Sequence, residues 1–317
     1  MPTIFHEPWW LEAAGNGQCR EAVVSSGGVI VGRLPYLPFK KITQQMTLVM
    51  PPLTHVLGPA LLKETEGSSA SRVLKRFSII RDLIAQLPNA SYVWFELHSE
   101  ITDSLAFEAA GFSCGVNFTM EIAPGTPDTL WRQMQSKTRN VVRRAQEQLT
   151  VTDECSPRQF FDFYDANIRE RGLKNSLDRT ICEAIISECL QRKAGRLLVA
   201  TGPTGIWKAC IFTVWDHKRE YYLMSTRSGD STNGAGSLLI WTAIQHAASQ
   251  GLTFDMDGIH AQSNLRFIAG FGGTLVPRYF AWRTSTAFLI ARAARDLLTA
   301  RSFRKGHSGR SLEPSRG

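Results

Sequence analysis

The 317-residue chain carries 36 Lys+Arg against 28 Asp+Glu, a formal charge of +8, with 43% apolar and 20% charged residues. That composition fits one large folded domain or two of ordinary size and excludes disordered, collagenous and coiled-coil proteins. The six cysteines, Cys19, Cys114, Cys155, Cys182, Cys189 and Cys210, form no CxxC pair and no Cys/His cluster at ligand spacing, so neither a metal nor redox chemistry is expected.

In chain order, Gly28–Pro35 reads as a strand opened by glycine and Arg72–Gln86 as an amphipathic helix. An apolar strand from Tyr92 ends in polar residues, a short helix starts at Asp103 or Ser104, and Gly111-Phe112 leads into another strand. Ala123-Pro-Gly-Thr-Pro127 interrupts the pattern and marks a boundary. Beyond it, Asp128–Gln148 and Ser156–Gly172 are predicted helices, the latter N-capped by Ser156 with Pro157 in its first turn. Then come a strand opened by Gly205, the strand Arg219–Ser225, the helix Ser237–Gln250 and the strand Thr253–Asp257. A short helix from Ser263 or Asn264 and Gly270-Phe271 lead into a final strand.

No transmembrane helix is predicted, because the uncharged stretch Ile42–Leu62 is broken by Pro51, Pro52 and Pro59, and Ser231–Phe254 is rich in small and polar residues. The opening MPTIFHEPWW lacks a basic region followed by an apolar run, so the expected location is the cytoplasm.

Two segments repeat the same features at a constant offset of 159 residues: Phe95 matches Phe254, Glu96 matches Asp255, His98 matches Asp257, Gly111 matches Gly270 and Phe112 matches Phe271. The expectation is an α/β protein with a mixed sheet, built from two copies of one unit over 1–125 and 126–300, with a polar, basic, disordered tail at 301–317.

This order of elements resembles the GNAT acyltransferase fold. The doubling, with WRQMQSKTRNVVRRAQ at Trp131–Gln146, FDMDG and NLRFIAGFGG within Phe254–Gly273, PWWLEAAG at Pro8–Gly15, GRLPYLPFKK at Gly32–Lys41 and PPLTHVLGP at Pro51–Pro59, is similar to the FemAB-like and BioF2-like branch with tandem GNAT domains. The resemblance implies an N-acyltransferase with acyl-CoA as donor, acetyl-CoA in the first place. Its acceptor would be an amino sugar or amino-acid-like amine, as a small molecule or a lipid- or nucleotide-linked glycan of cell-envelope or polysaccharide biosynthesis. A Fem-type transferase drawing an aminoacyl group from charged tRNA is the alternative, although the long coiled-coil insertion common there is not visible. A catalytically silent binding protein of the same fold is the third.

Such chemistry needs an anion anchor, donors for an oxyanion and a proton acceptor. Asn233, Gly234, Ala235, Gly236 and Ser237 stand directly before a helical run, where glycines let backbone N–H groups wrap a phosphate and the helix end adds positive charge. A flexible N-cap is the plainer use of such a turn. Arg227 lies nearby, and the corresponding turn of the first copy, Glu66–Ser71, has one glycine and an adjoining acid, so it should bind diphosphate poorly. Backbone amides of Arg219–Ser225 would supply the oxyanion donors. Asp255 and Asp257 share a strand face, where their closeness would raise one pKa and make Asp257 the proton acceptor unless it caps the next helix or pairs with Arg266. His260 could serve instead, and Tyr222 or Tyr279 could protonate a leaving thiolate.

Positive charge collects in two places. Trp131–Gln148 has five basic residues and one acid, and on a helix Lys137, Arg139, Arg143 and Arg144 would form either a solvated face or a ridge holding a phosphorylated acceptor. From Arg283 onward eight basic residues meet two acids, around an amphipathic helix over Leu289–Leu298 that either packs on its own domain or docks on an anionic membrane.

Overall fold

The structure, a computed structural model, describes residues 2–40, 45–62, 68–229, 234–259, 262–290 and 292–293. A 3₁₀ turn at Ile4–His6 and α1 (Pro8–Gly15) precede β1 (Arg20–Ser26), β2 (Val29–Lys40), β3 (Met46–Val49) and β4 (Ala60–Leu61). Then follow α2 (Ser69–Ala85), β5 (Tyr92–Glu96), α3 (Ser104–Ala109) and β6 (Ser113–Ile122). The second half runs α4 (Pro127–Gln133), α5 (Ser136–Gln148), β7 (Thr150–Thr152), α6 (Pro157–Glu170), α7 (Arg179–Gln191), β8 (Gly195–Thr201) and β9 (Trp207–Trp215). It ends with β10 (Arg219–Arg227), α8 (Ala235–Ser249), β11 (Thr253–Gly258), α9 (Gln262–Ala269) and β12 (Thr274–Thr284).

Local chemistry accounts for most boundaries. Ser156 and Gln159 cap each other's backbone N–H at the start of α6, with Pro157 in the first turn. The helix expected over Asp128–Gln148 is instead two, because Met134 turns to extended backbone (ψ 147) and buries its side chain between them. Burying that apolar side chain outweighs the continuity of two or three helical hydrogen bonds. Helix α9 starts at Gln262, ahead of the Ser263 or Asn264 cap expected. Of the C-terminal basic helix, 286–290 and 292–293 are helical, while 294–300 and the tail at 301–317 lie outside the described residues.

All twelve strands named above join one mixed sheet in the order β1-β2-β3-β5-β12-β6-β11-β10-β9-β8-β7, with β4 added to β2. Strands of the two halves exchange reciprocally within it. Strand β12, the last of the second half, pairs with β5, while β6, the last of the first half, pairs with β11, and β12 and β6 pair with each other at the centre. Each half also holds one parallel pair, β3 with β5 and β10 with β11, bridged by a helix, α2 and α8 respectively.

Three apolar clusters cover the sheet. Helix α8 packs its Leu239, Trp241 and Ile244 on Phe254 and Met256, beside Val142 and Ala145 of α5. On the opposite side α1, α6 and α7 cover Cys210, Phe212 and Leu223 with Phe5, Trp10, Phe160 and Phe161. Helices α2 and α3 cover Val93, Phe95 and Leu97.

Candidate active site

The ladder between β10 and β11 is short. It runs Arg219↔Thr253, Glu220↔Phe254 and Tyr221↔Asp255, and then stops. Strand β10 continues to Arg227 along β9, with a bulge between Tyr222 and Met224, and β11 continues to Gly258 along β6. Among the described residues, the edge of β10 that faces β11 therefore has no strand partner beyond Tyr221. Its N–H and C=O groups are available to an extended ligand.

Helix α8 begins where the two strands part, because it connects the carboxyl end of β10 to β11. Its N-cap, Gly234, is left-handed (φ 77) and gives no side-chain cap. The first backbone bond of the helix is Leu238 N to Gly234 O, 2.9 Å, so the N–H groups of Ala235, Gly236 and Ser237 have no acceptor within the helix. A Cβ on Gly234 would lie 2.5 Å from Val141 Cγ1 and 3.1 Å from Val141 O of α5, whereas one on Gly236 would meet nothing within 4 Å. Glycine at 234 lets α8 approach α5, and the open space at 236 leaves the donors of the first turn accessible. Asn233 lies outside the described residues.

On α5, Lys137, Val141 and Arg144 fall on one stripe, so the two cations flank the residue that touches Gly234. Arg139 is used otherwise. Its guanidinium donates to the carbonyls of Met134 (2.5 Å) and Arg132 (3.1 Å), closing the carboxyl end of α4. Arg143 reaches Asn140 Oδ1 at 3.3 Å and lies over the Trp131 ring, 6.0 Å from its centroid. Arg227 ends β10, and its carbonyl accepts from Arg171 at 2.8 Å. The structure thus brings Gly234, Ala235, Gly236 and Ser237 together with the Lys137 side of α5, and turns Arg139 away to α4.

Asp255 and Asp257 do share one face, but the carboxyl of Asp257 is not raised as the spacing predicts. Arg278 from β12 stands between them: it is paired with Asp255, and its Nη1 is 3.8 Å from Asp257 Oδ1. Asp255 is fully buried and Arg278 is 4% exposed, so this pair is structural, sequestered from any substrate. Thr119 Oγ1 lies 2.6 Å from Asp255 Oδ1 and 2.7 Å from the Asp257 carbonyl, sharing its one proton, while Asp257 N donates to Asp255 Oδ1 at 3.0 Å. This network holds Asp257 in the left-handed region (φ 67), a conformation an aspartate tolerates. Burial alone would raise its carboxyl; His55 and Arg278 beside it outweigh that and hold it below the usual carboxylate range. The partner is not Arg266, which is exposed on α9.

The residue missed by sequence reasoning is His55, whose Nδ1 is 2.9 Å from Asp257 Oδ1. It sits on Pro51–Ala60, a loop of the first half pinned from three sides. Trp10 Nε1 donates to Thr54 Oγ1 (2.9 Å), His6 Nε2 bonds Gly58 O (3.1 Å) and His98 Nε2 bonds Pro59 O (3.2 Å). Burial, aided by neighbouring His98, pushes His6 down to about 3, and burial pushes His98 down to about 4, so both are neutral donors to these carbonyls. The PPLTHVLGP stretch was the available signal, but only the tertiary contact gives its histidine a partner.

Tyr222 points to the α8 side of β10, the face opposite Asp255, and its hydroxyl donates to Ser225 Oγ. Burial pushes it up to about 12, with Asp257 adding to the rise and Ser225 opposing it, so it stays protonated. Tyr279 lies on β12 against the first-half core. His260 lies outside the described residues. Among the described residues no group of three or more His, Cys, Asp or Glu is placed to hold a metal, and no helix is long and apolar enough to cross a membrane.

The split between β10 and β11 and the glycine-started helix at its mouth lie within the stretch that a family model covers. Residues 132–262 match the family model described as "Acetyltransferase (GNAT) domain", so the second half of the chain carries a domain of the GNAT acyltransferase type. Similar solved structures include FemX, 13% identical with a TM-score of 0.65, covering 88% of this chain and 91% of that one. L-PGS from Bacillus licheniformis gives 13% identity and a TM-score of 0.55 over 92% of both chains. The C-terminal domain of an Agrobacterium fabrum protein assigned as a lysylphosphatidylglycerol synthetase gives 13% and 0.54, over 90% of this chain and 88% of that one. At these identities the likeness is one of fold. No curated protein sequence matches the chain.

Proposed function

We propose that the protein transfers an acyl group from acyl-CoA, acetyl-CoA in the simplest case, to the amine of an amino sugar or amino-acid-like acceptor in cell-envelope or polysaccharide biosynthesis. The observation that carries this reading is the β10/β11 split with the uncapped N-terminus of α8 at its mouth. The N–H groups of Ala235, Gly236 and Ser237, with Lys137 and Arg144 alongside, suit a diphosphate. The free edge of β10 suits a pantetheine amide arm, and backbone amides around the Tyr222–Met224 bulge suit a developing oxyanion. Tyr222 would protonate the departing thiolate.

The acceptor would approach from the other face, where Asp257 and His55 lie. That face continues into a stack of three half-buried rings, Trp94–Phe280 at 4.9 Å and Phe280–Trp282 at 5.3 Å, beside Glu96 and Asn117. Flat rings bordered by a carboxylate and an amide favour a sugar. The exposed Leu289 and Ile290 beside Arg292 support membrane contact, and with it a lipid-linked acceptor.

Calorimetry with acetyl-CoA tests the donor: wild type is expected to bind, and Gly236→Asp, which places a negative charge at the anchor, to bind at least tenfold more weakly. Absence of binding to wild type removes the reading. The fold likeness to FemX favours a second one, an aminoacyl group carried by tRNA along the basic face of α5. It predicts salt-sensitive binding of aminoacyl-tRNA and none of acetyl-CoA.

A further inference from the structure

We propose that His55 is the proton acceptor of the transfer reaction and Asp257 its positioning residue, so that the acid–base pair is assembled from the two halves of the chain. The inference rests on acyl transfer to an amine and names the groups that deprotonate that amine.

Asp257 is poorly suited to the part itself. It is an ionised carboxylate already facing the Arg278 guanidinium from β12 and the imidazole of His55. An imidazole is the stronger base near neutrality. Asp257 Oδ1 lies 2.9 Å from Nδ1, which favours the tautomer with its proton on Nδ1 and its lone pair on Nε2. The contact is one of ion-pair distance: the buried Nδ1 completes no hydrogen bond among the described residues, and the Asp257 carboxylate is the charged group beside it. The ring is also fixed in orientation, stacked on Phe5 with centroids 6.1 Å apart and planes at 24°. The loop beneath it is held by Trp10, His6 and His98, none of which touches the reacting atoms. A base held on a rigid support in one tautomer loses little freedom when the acceptor arrives.

The step balances. The neutral amine attacks the thioester carbonyl carbon, a C–N bond forms, and the amine proton passes to His55 Nε2. The C–S bond breaks, and the thiolate takes a proton from the Tyr222 hydroxyl. Solvent then removes the imidazolium proton and restores that of Tyr222. The charge of Asp257 stabilises the imidazolium, with Arg278 and its partner Asp255 behind it.

The full-length chain, acetyl-CoA as donor and glucosamine as acceptor probe decide the matter, with thiol release followed across pH. His55→Gln is expected to lower kcat by about 100-fold or more, with the acetyl-CoA Kd unchanged within about twofold. Asp257→Asn is expected to lower kcat by about tenfold and move the acidic limb of the kcat profile to lower pH, because a neighbouring negative charge no longer favours the imidazolium. Full kcat in His55→Gln, or an unmoved limb in Asp257→Asn, overturns the proposal. If wild type fails to bind acetyl-CoA or to turn it over, the donor reading fails, and nitrogen-15 NMR decides the pair separately. His55 is expected as the Nδ1-protonated tautomer in wild type and as a mixture in Asp257→Asn; an Nε2-protonated ring in wild type overturns it. If either variant fails to fold by circular dichroism, the wild-type tautomer decides.

Discussion

The carboxyl ends of the two parallel strand pairs start from equivalent residues and are treated in opposite ways. In the second half the β10/β11 ladder stops at Tyr221↔Asp255 and the strands part. In the first half the β3/β5 ladder stops at Leu48↔Val93, and the chain's own segment fills the gap: Leu57 bridges Leu97, and its N–H donates to Glu96 O at 2.7 Å. The helix starts differ in the same sense. Ser68 Oγ accepts from Ser71 N and caps α2, while α8 has no side-chain cap. At the position of Asp257 the first half has His98, buried and bonded to Pro59 O. The segment that fills the gap in the first half belongs to the same loop that brings His55 to Asp257 of the second.

Removing one partner of the buried pair should separate the halves most sharply. Arg278→Met leaves the Asp255 carboxylate buried and uncompensated and should cost about 3–5 kcal/mol by urea unfolding. Glu96→Gln at the equivalent position, half-buried and facing the Asn117 amide at 3.0 Å, should cost about 1 kcal/mol or less. Equal costs would break the contrast.

Acid should act first on the filled half. His6 and His98 have folded pKa values depressed from 6.5 to about 3 and about 4, so the unfolded chain binds protons that the folded one refuses. Their stabilisation is complete above pH 6.5 and is lost as pH falls to about 4 for His98 and about 3 for His6, by about 1.4 kcal/mol per pH unit for each histidine. Unfolding midpoints measured at descending pH should fall accordingly, and His6→Gln with His98→Gln should flatten the slope from a lower starting stability. An unchanged slope would show that the loop is not held by neutral histidines.

Smaller effects sharpen the donor side. Gly234→Ala should cost about 1–3 kcal/mol for the left-handed backbone, plus the clash with Val141. Gly111→Ala has the same backbone strain in open space (φ 79), so the excess over it measures the α5–α8 approach. Gly236→Ala should leave stability within about 0.5 kcal/mol and weaken acetyl-CoA binding only severalfold. Loss of stability without loss of affinity would mean that the turn serves packing and not an anion.

Elements governed by short-range chemistry were legible in the residues: the Ser156 cap, the glycine-opened strands, the amphipathic helix before each acidic strand end, and the 159-residue echo linking Glu96 and His98 to Asp255 and Asp257. Periodicity and capping report contacts within about one turn or one strand, so sequence by itself determined the units and the turn at Gly234. The exchange of β6 and β12, the placing of Arg278 between two carboxylates, the diversion of Arg139 to the end of α4 and the meeting of His55 with Asp257 were decided only by the tertiary structure. Each joins groups far apart in the chain, and no local propensity distinguishes a histidine that will face a carboxylate from one that will not.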